Sequence, residues 1–180
     1  MLIALKSWLN NNEVTHDALY AYKHSGDSKY LEQLIDSYSQ DLYYFLSSQS
    51  NAVLAQDLCQ KTWLLTMEKK HLYRQQQTPK AWLFTVARNA LIDELRKQQR
   101  LVCVDDISLL ESTPIVQEHT SLNQAIAQLP FLLKEALSLQ LEGFTLKEIA
   151  EITHSNVETI KTRIRYAKQR LKDAIGETHE

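Results

Sequence analysis

Between Thr145 and Lys172 the chain reads TLKEIAEITHSNVETIKTRIRYAKQRLK, and its second half sets six basic residues against the single acidic residue Glu158. On a helix advancing about 100° per residue, Ile160, Ile164, Ala167 and Leu171 form one narrow apolar stripe. The opposite face presents Glu158, Thr162, Arg165, Tyr166 and Gln169. Lys161 and Lys168 run along one edge of that face, Arg163 and Arg170 along the other. This layout suits a helix in the major groove of DNA, where central side chains reach base edges and flanking cations meet the two phosphate walls. The candidate contact set is Glu158, Thr159, Lys161, Thr162, Arg163, Arg165, Tyr166, Lys168 and Gln169.

A basic helix face is ordinarily just solvated surface, so the preceding residues decide the matter. Thr145 and Glu148 have the spacing of a capping box that opens a first helix. Leu146, Ile149 and Ala150 give that helix a face to bury, and His154-Ser155-Asn156 is a short polar turn. Together these features predict a helix-turn-helix. Ser155 and Glu158 also fit a capping box, leaving two roles for Glu158: closing the second helix or touching a base.

The elements that must carry this unit are helical. With three glycines and three prolines in 180 residues, few tight turns are available, and these residues fall where helices begin or end (Gly26, Pro79, Pro114, Pro130, Gly143, Gly176). The predicted class is all-α, two small helical domains joined by a flexible acidic linker. A 3.6-residue period through Tyr30, Leu31, Leu34, Ile35, Tyr38, Leu42, Phe45 and Leu46 predicts a helix over 28–47, capped by Asp27 or Ser28. A second is expected over 51–70 with Leu54, Leu58, Trp63 and Leu65 in the core. Thr78-Pro79 is an N-cap followed by proline at the first helical position, opening a helix to about Arg100 that buries Leu83, Val86, Ala87 and Ala90. Residues 101–120 lose the period, contain Pro114 and carry no Lys or Arg. The expected division is an N-terminal extension over 1–26, a first domain over 27–100, a linker over 101–120 and a helix-turn-helix domain over 121–176.

Composition excludes several classes. Cys59 and Cys103 lie far apart without ligand spacing, and the six histidines form no pair, so neither zinc nor a disulfide framework is expected. No apolar run approaches the ~20 residues that span a bilayer, and the start of the chain lacks a cleavable signal; a cytoplasmic protein, not an integral membrane protein, is expected. No nucleophile–base–orienter set and no phosphate-binding glycine loop is visible, so no enzymatic chemistry, cofactor or metal is predicted. The net charge of −2 is distributed unevenly. Residues 71–100 hold six basic and two acidic groups, whereas 101–121 hold none and four. Because duplex affinity draws chiefly on phosphate neutralisation, a chain with so little cationic excess should bind DNA weakly alone and gain its grip from a larger partner.

Four segments in order resemble the bacterial RNA polymerase sigma factors of the sigma-seventy family, extracytoplasmic-function type. Gly26-Asp27 with Leu31, Leu34, Tyr38, Leu42 and Leu46 resembles the family's first helix. Asp57-Leu58-Cys59-Gln60-Lys61-Thr62-Trp63 resembles the acidic-led motif that docks on the polymerase clamp. Pro79 to Asn89 with Ile92 to Arg96 resembles the helix that engages the −10 promoter element. Leu129-Pro130, Glu148 to Glu151 and Thr159 to Arg163 resemble the −35-reading domain.

The resemblance implies a promoter-specificity subunit with RNA polymerase core (β and β′ subunits), promoter DNA and an anti-sigma factor as partners. It assigns core binding to Asp57, Leu58, Gln60 and Trp63. To the −10 element it assigns Asn89 and the Arg74–Thr78 loop, which in the family cradle a flipped base. Arg88, Asn89 and Arg96 on one helix face beside that loop make the kind of basic, polar surface that holds single strands. Three residues depart from the pattern: Lys61 where Glu is usual, His154 at a turn position usually Gly, and Tyr166 where Arg is customary. An arginine bonds guanine with two hydrogen bonds and a tyrosine cannot, so an altered −35 sequence is expected. The competing expectation is a stand-alone helix-turn-helix regulator, against which the near-neutral charge speaks.

Overall fold

The computed structural model of the chain describes residues 17–102 and 122–176. Expectations for the chain start and for the linker after Val102, including Cys103 and Pro114, lie outside the described residues. Among the described residues every regular element is a helix, as the scarcity of Gly and Pro predicts. Contacts divide the chain into two compact units, parting between Ile92 and Asp93.

In the first unit, Asp17 caps α1 (Ala18–Ser25), its Oδ1 accepting from the Tyr20 amide at 2.9 Å. Gly26, at φ 70°, closes α1 in the left-handed conformation that glycine adopts without strain. Asp27 then caps α2 (Ser28–Gln49), and Asn51 caps α3 (Ala52–Lys69) by accepting from Leu54 at 2.9 Å. α3 tightens into a 3₁₀ turn over Lys70–Leu72. Thr78 opens α4 (Pro79–Val102), its hydroxyl accepting from the Ala81 amide at 3.2 Å. Leu19, Leu34, Tyr73, Trp82 and Leu83 form a buried cluster, with Trp63 and Val86 packed against it. Burying one such leucine stabilises the bundle by roughly 1.5–3 kcal/mol.

The phase of α3 differs from the expected one. Its buried residues are Ala55, Leu58, Thr62 and Thr66, while Leu54 and Leu65 are only partly covered. Two threonines enter the core because each hydroxyl donates to the carbonyl one turn back, Thr62 to Leu58 at 2.7 Å and Thr66 to Thr62 at 2.8 Å. With those hydroxyls satisfied, burial carries no polar penalty.

The second unit contains α5 (Leu122–Ala127), α6 (Phe131–Leu141), α7 (Leu146–Ile152) and α8 (Val157–Gly176). Leu129, Leu137 and Ala167 form a buried cluster, joined by Leu133 and Leu171. Ile149, Ile152, Ile160 and Ile164 are also buried. The stripe Ile160–Ile164–Ala167–Leu171 therefore faces inward as its spacing predicts, and this fixes which side of α8 faces water.

Candidate nucleic-acid interface

α7 and α8 are set by local chemistry. The Thr145 hydroxyl accepts from the Glu148 amide at 3.3 Å while the Glu148 carboxylate accepts from the Thr145 amide at 2.9 Å, completing the capping box. His154 then turns the chain with φ 52°, the sole positive φ among described non-glycine residues. α8 is opened by Asn156, whose Oδ1 accepts from the Thr159 amide at 2.7 Å. The second capping box does not form. Ser155 Oγ instead accepts from Arg163 at 3.0 Å, and Glu158 accepts from Lys161 Nζ at 2.7 Å.

The face expected to read bases is open. Glu158, Thr162, Arg165, Tyr166 and Gln169 are all exposed, Tyr166 at 53%. Lys161 and Lys168 are exposed on one edge and Arg170 on the other. Arg163 and Thr159 are half-buried, and the Ser155 bond ties Arg163 to the turn. The Arg165 guanidinium lies 5.2 Å from the centroid of the Tyr166 ring, a cation–π distance at which the aromatic braces the cation. Gln169 donates to Asp173 at 2.7 Å, which steadies the far end of the face. Gln140 and Leu146 join Lys161, Arg165, Lys168 and Lys172 around an open groove beside it.

In the first unit, Asp57 and Gln60 are exposed on α3 and Trp63 is half-buried. Leu58, expected on the same docking surface, is 2% exposed. It points into the bundle, so its part is to anchor α3, and we withdraw it from the contact set. The exposed stripe of α3 is completed by residues the sequence did not single out: Val53, Leu64 and Met67, at 72%, 61% and 46% exposure. With Asp57 and Gln60 they follow a 4, 3, 4, 3 spacing, which lies along one side of a helix. Their only forewarning was apolar residues out of phase with the buried stripe. Arg74, Gln75 and Gln76 are exposed in the loop, as is Thr78 at its end. On α4, Asn89 is exposed and Arg88 half-buried; Arg96, also exposed, belongs to the part of α4 grouped with the second unit.

Family models match both halves of the chain: Sigma-70 region 2 over residues 34–101 and Sigma-70 region 4 over residues 119–171. RNA polymerase sigma factor SigV of Bacillus subtilis (strain 168) is 30% identical over 138 residues, covering 72% of this chain and 81% of SigV. ECF RNA polymerase sigma factor SigM of the same organism is 33% identical over 152 residues, covering 79% and 93%. The chain belongs to the sigma-70 family, as an ECF sigma factor. Its role is to direct promoter-specific transcription initiation. The sigma factor RpoE of Bartonella quintana, solved in complex with the anti-sigma factor NepR, superposes with a TM-score of 0.68 at 26% identity, covering 82% of this chain and 98% of that one.

Two departures of this sigma factor from the family pattern now have a physical description. His154 occupies a left-handed turn position, which glycine takes without strain and which histidine tolerates better than a β-branched residue. Tyr166 stands beside Arg165 as a platform under its guanidinium. Lys61 is half-buried on α3, and its replacement of a customary acid leaves Asp57 as the carboxylate of the exposed stripe. No helix among the described residues is long and apolar enough to cross a membrane.

Proposed function

We propose that this sigma factor grips core polymerase and two promoter elements through three separate surfaces. Asp57, Gln60 and Trp63 of α3, with Val53, Leu64 and Met67, dock on the β and β′ subunits of the core. An exposed apolar stripe edged by polar groups is the composition of a surface that becomes covered by a partner. The Arg74–Thr78 loop with Arg88, Asn89 and Arg96 receives the −10 element as single-stranded DNA. Thr162, Arg165, Tyr166 and Gln169 face the −35 base edges. Lys161, Arg163 and Lys168 meet the phosphates, while Thr159 and Glu158 approach the strand at the helix start. The acidic linker spans the two domains. By likeness to the Bartonella protein, which was solved with an anti-sigma factor, this chain also binds one.

The observation that carries this assignment is the solvent-facing set Thr162–Arg165–Tyr166–Gln169, held rigid by a buried stripe on the opposite side of the same helix. Reconstituted transcription tests it: core enzyme plus this chain initiates at promoters that core alone ignores. In that assay Arg165→Ala and Thr162→Ala weaken −35-dependent initiation and leave core binding intact. One good base contact corresponds to about 1–3 kcal/mol, or roughly 5- to 150-fold. Equal loss of core binding and promoter use in both variants would contradict the assignment.

A further inference from the structure

α1 has no part in the three surfaces above, yet it sends two charged side chains to a single residue at the root of the Arg74–Thr78 loop. Asp17 Oδ2 accepts from the Tyr73 hydroxyl at 2.6 Å, within the range of charge-assisted O–H···O⁻ bonds, while its Oδ1 remains on the Tyr20 amide. Lys23 Nζ donates to the Tyr73 backbone carbonyl at 2.8 Å. The Tyr73 hydroxyl oxygen also lies 2.9 Å from the Gln77 carbonyl, so its one hydrogen is shared between the carboxylate and the loop. Gln77 closes the loop by donating its amide to the Arg74 carbonyl at 3.2 Å. The ring itself is 0% exposed and meets Trp82 edge-on, with centroids 5.8 Å apart.

The loop is thus held at its entry by Lys23 and near its exit by the Tyr73 hydroxyl, with Arg74, Gln75 and Gln76 left in water between them. A core aromatic needs only its ring to fill space. The hydroxyl and the two charges from a separate helix act on the backbone of the loop. We propose that Asp17, Lys23 and the Tyr73 hydroxyl are positioning residues for −10 base discrimination: α1 presets the loop in the form that accepts the extruded base. The inference rests on the −10 assignment of that loop made above. Presetting matters because a loop ordered before DNA arrives loses less entropy on binding and fits fewer wrong bases. Burial and the Asp17 carboxylate both push the Tyr73 phenol upward, so the hydroxyl keeps its hydrogen at any physiological pH.

The test uses full-length chain in holoenzyme, with fluorescent single strands of a −10 element selected by the wild type and their single-base variants. Tyr73→Phe keeps the ring and removes the shared hydrogen; Lys23→Met keeps the alkyl stem and removes the charge. Each variant should lower the ratio of best to worst base at least fivefold with core affinity unchanged, while the thermal midpoint falls with the lost bond. A preserved ratio in both variants, or weaker binding by the same factor for every base, overturns the proposal. Asn89→Ala and Arg74→Ala serve as controls. If both leave discrimination intact, the −10 assignment has failed, and the positioning role falls with it.

Discussion

Asn156→Ala removes the side chain that starts the recognition helix, and its effect can be sized from one contact. Asn156 Oδ1 accepts from the Thr159 amide at 2.7 Å, and losing such a cap costs about 1 kcal/mol. That corresponds to about a fivefold rise in the local opening of the first turn of α8. The other cap the sequence allows, Ser155 with Glu158, would protect the Glu158 amide instead. In the structure both of its side chains are engaged elsewhere, with Arg163 and Lys161. Residue-resolved amide exchange distinguishes the two. Asn156→Ala should speed exchange at Thr159 about fivefold, whereas Ser155→Ala should leave Thr159 unchanged. Because α8 would present its reading face through a frayed first turn, −35 duplex affinity should fall by no more than the same factor. Faster exchange at Glu158 in Ser155→Ala, with Thr159 unaffected in Asn156→Ala, would refute the capping argument.

His154→Val places a β-branched residue at φ 52° and should destabilise the second unit by about 1–2 kcal/mol relative to His154→Gly; slow-exchanging amides of α7 and α8 report the difference. Leu58→Ala should cost about 2–5 kcal/mol through the cavity it leaves. Asp57→Ala and Gln60→Ala should instead stay within about 0.5 kcal/mol while weakening core binding; denaturant titration beside a core-binding assay separates the two outcomes. Burial pushes the Cys59 thiol from 9.0 to about 11, so at pH 8 its thiolate fraction should be roughly a hundredth of that of an unburied thiol, and alkylation of the folded chain should be slower by a smaller factor. The folded state holds this proton more tightly than the unfolded one, so the associated stability is intact below pH 9 and lost as pH rises through about 11.

Local signals were legible in the sequence. The α8 stripe, the Thr145–Glu148 box and the polar turn each depend on residues within one or two helical turns, and all three stand as their spacing implies. The phase of α3 was not legible, because hydropathy counts threonine as polar and cannot see the back-bonds that let Thr62 and Thr66 enter the core. Periodicity places Leu58 in the core, where it lies; only the family resemblance also puts it on the docking side. Nor could α1 be connected with the loop: Asp17 and Tyr73 are 56 residues apart, and only tertiary packing brings them together. Spacing put Lys161 and Arg163 on the edges of the reading face, but it could not show their contacts with Glu158 and Ser155.

The central claim is that one chain reads two promoter elements with two surfaces at once, and cross-linking tests it most directly. A photoreactive group placed at Gln169 in α8 and, separately, at Gln75 in the loop is carried into holoenzyme bound to one promoter. Gln169 should cross-link to the −35 region and Gln75 to the −10 region of the same start site. Cross-links from both positions to the same element, or none from Gln169 in a complex that initiates normally, would contradict the account.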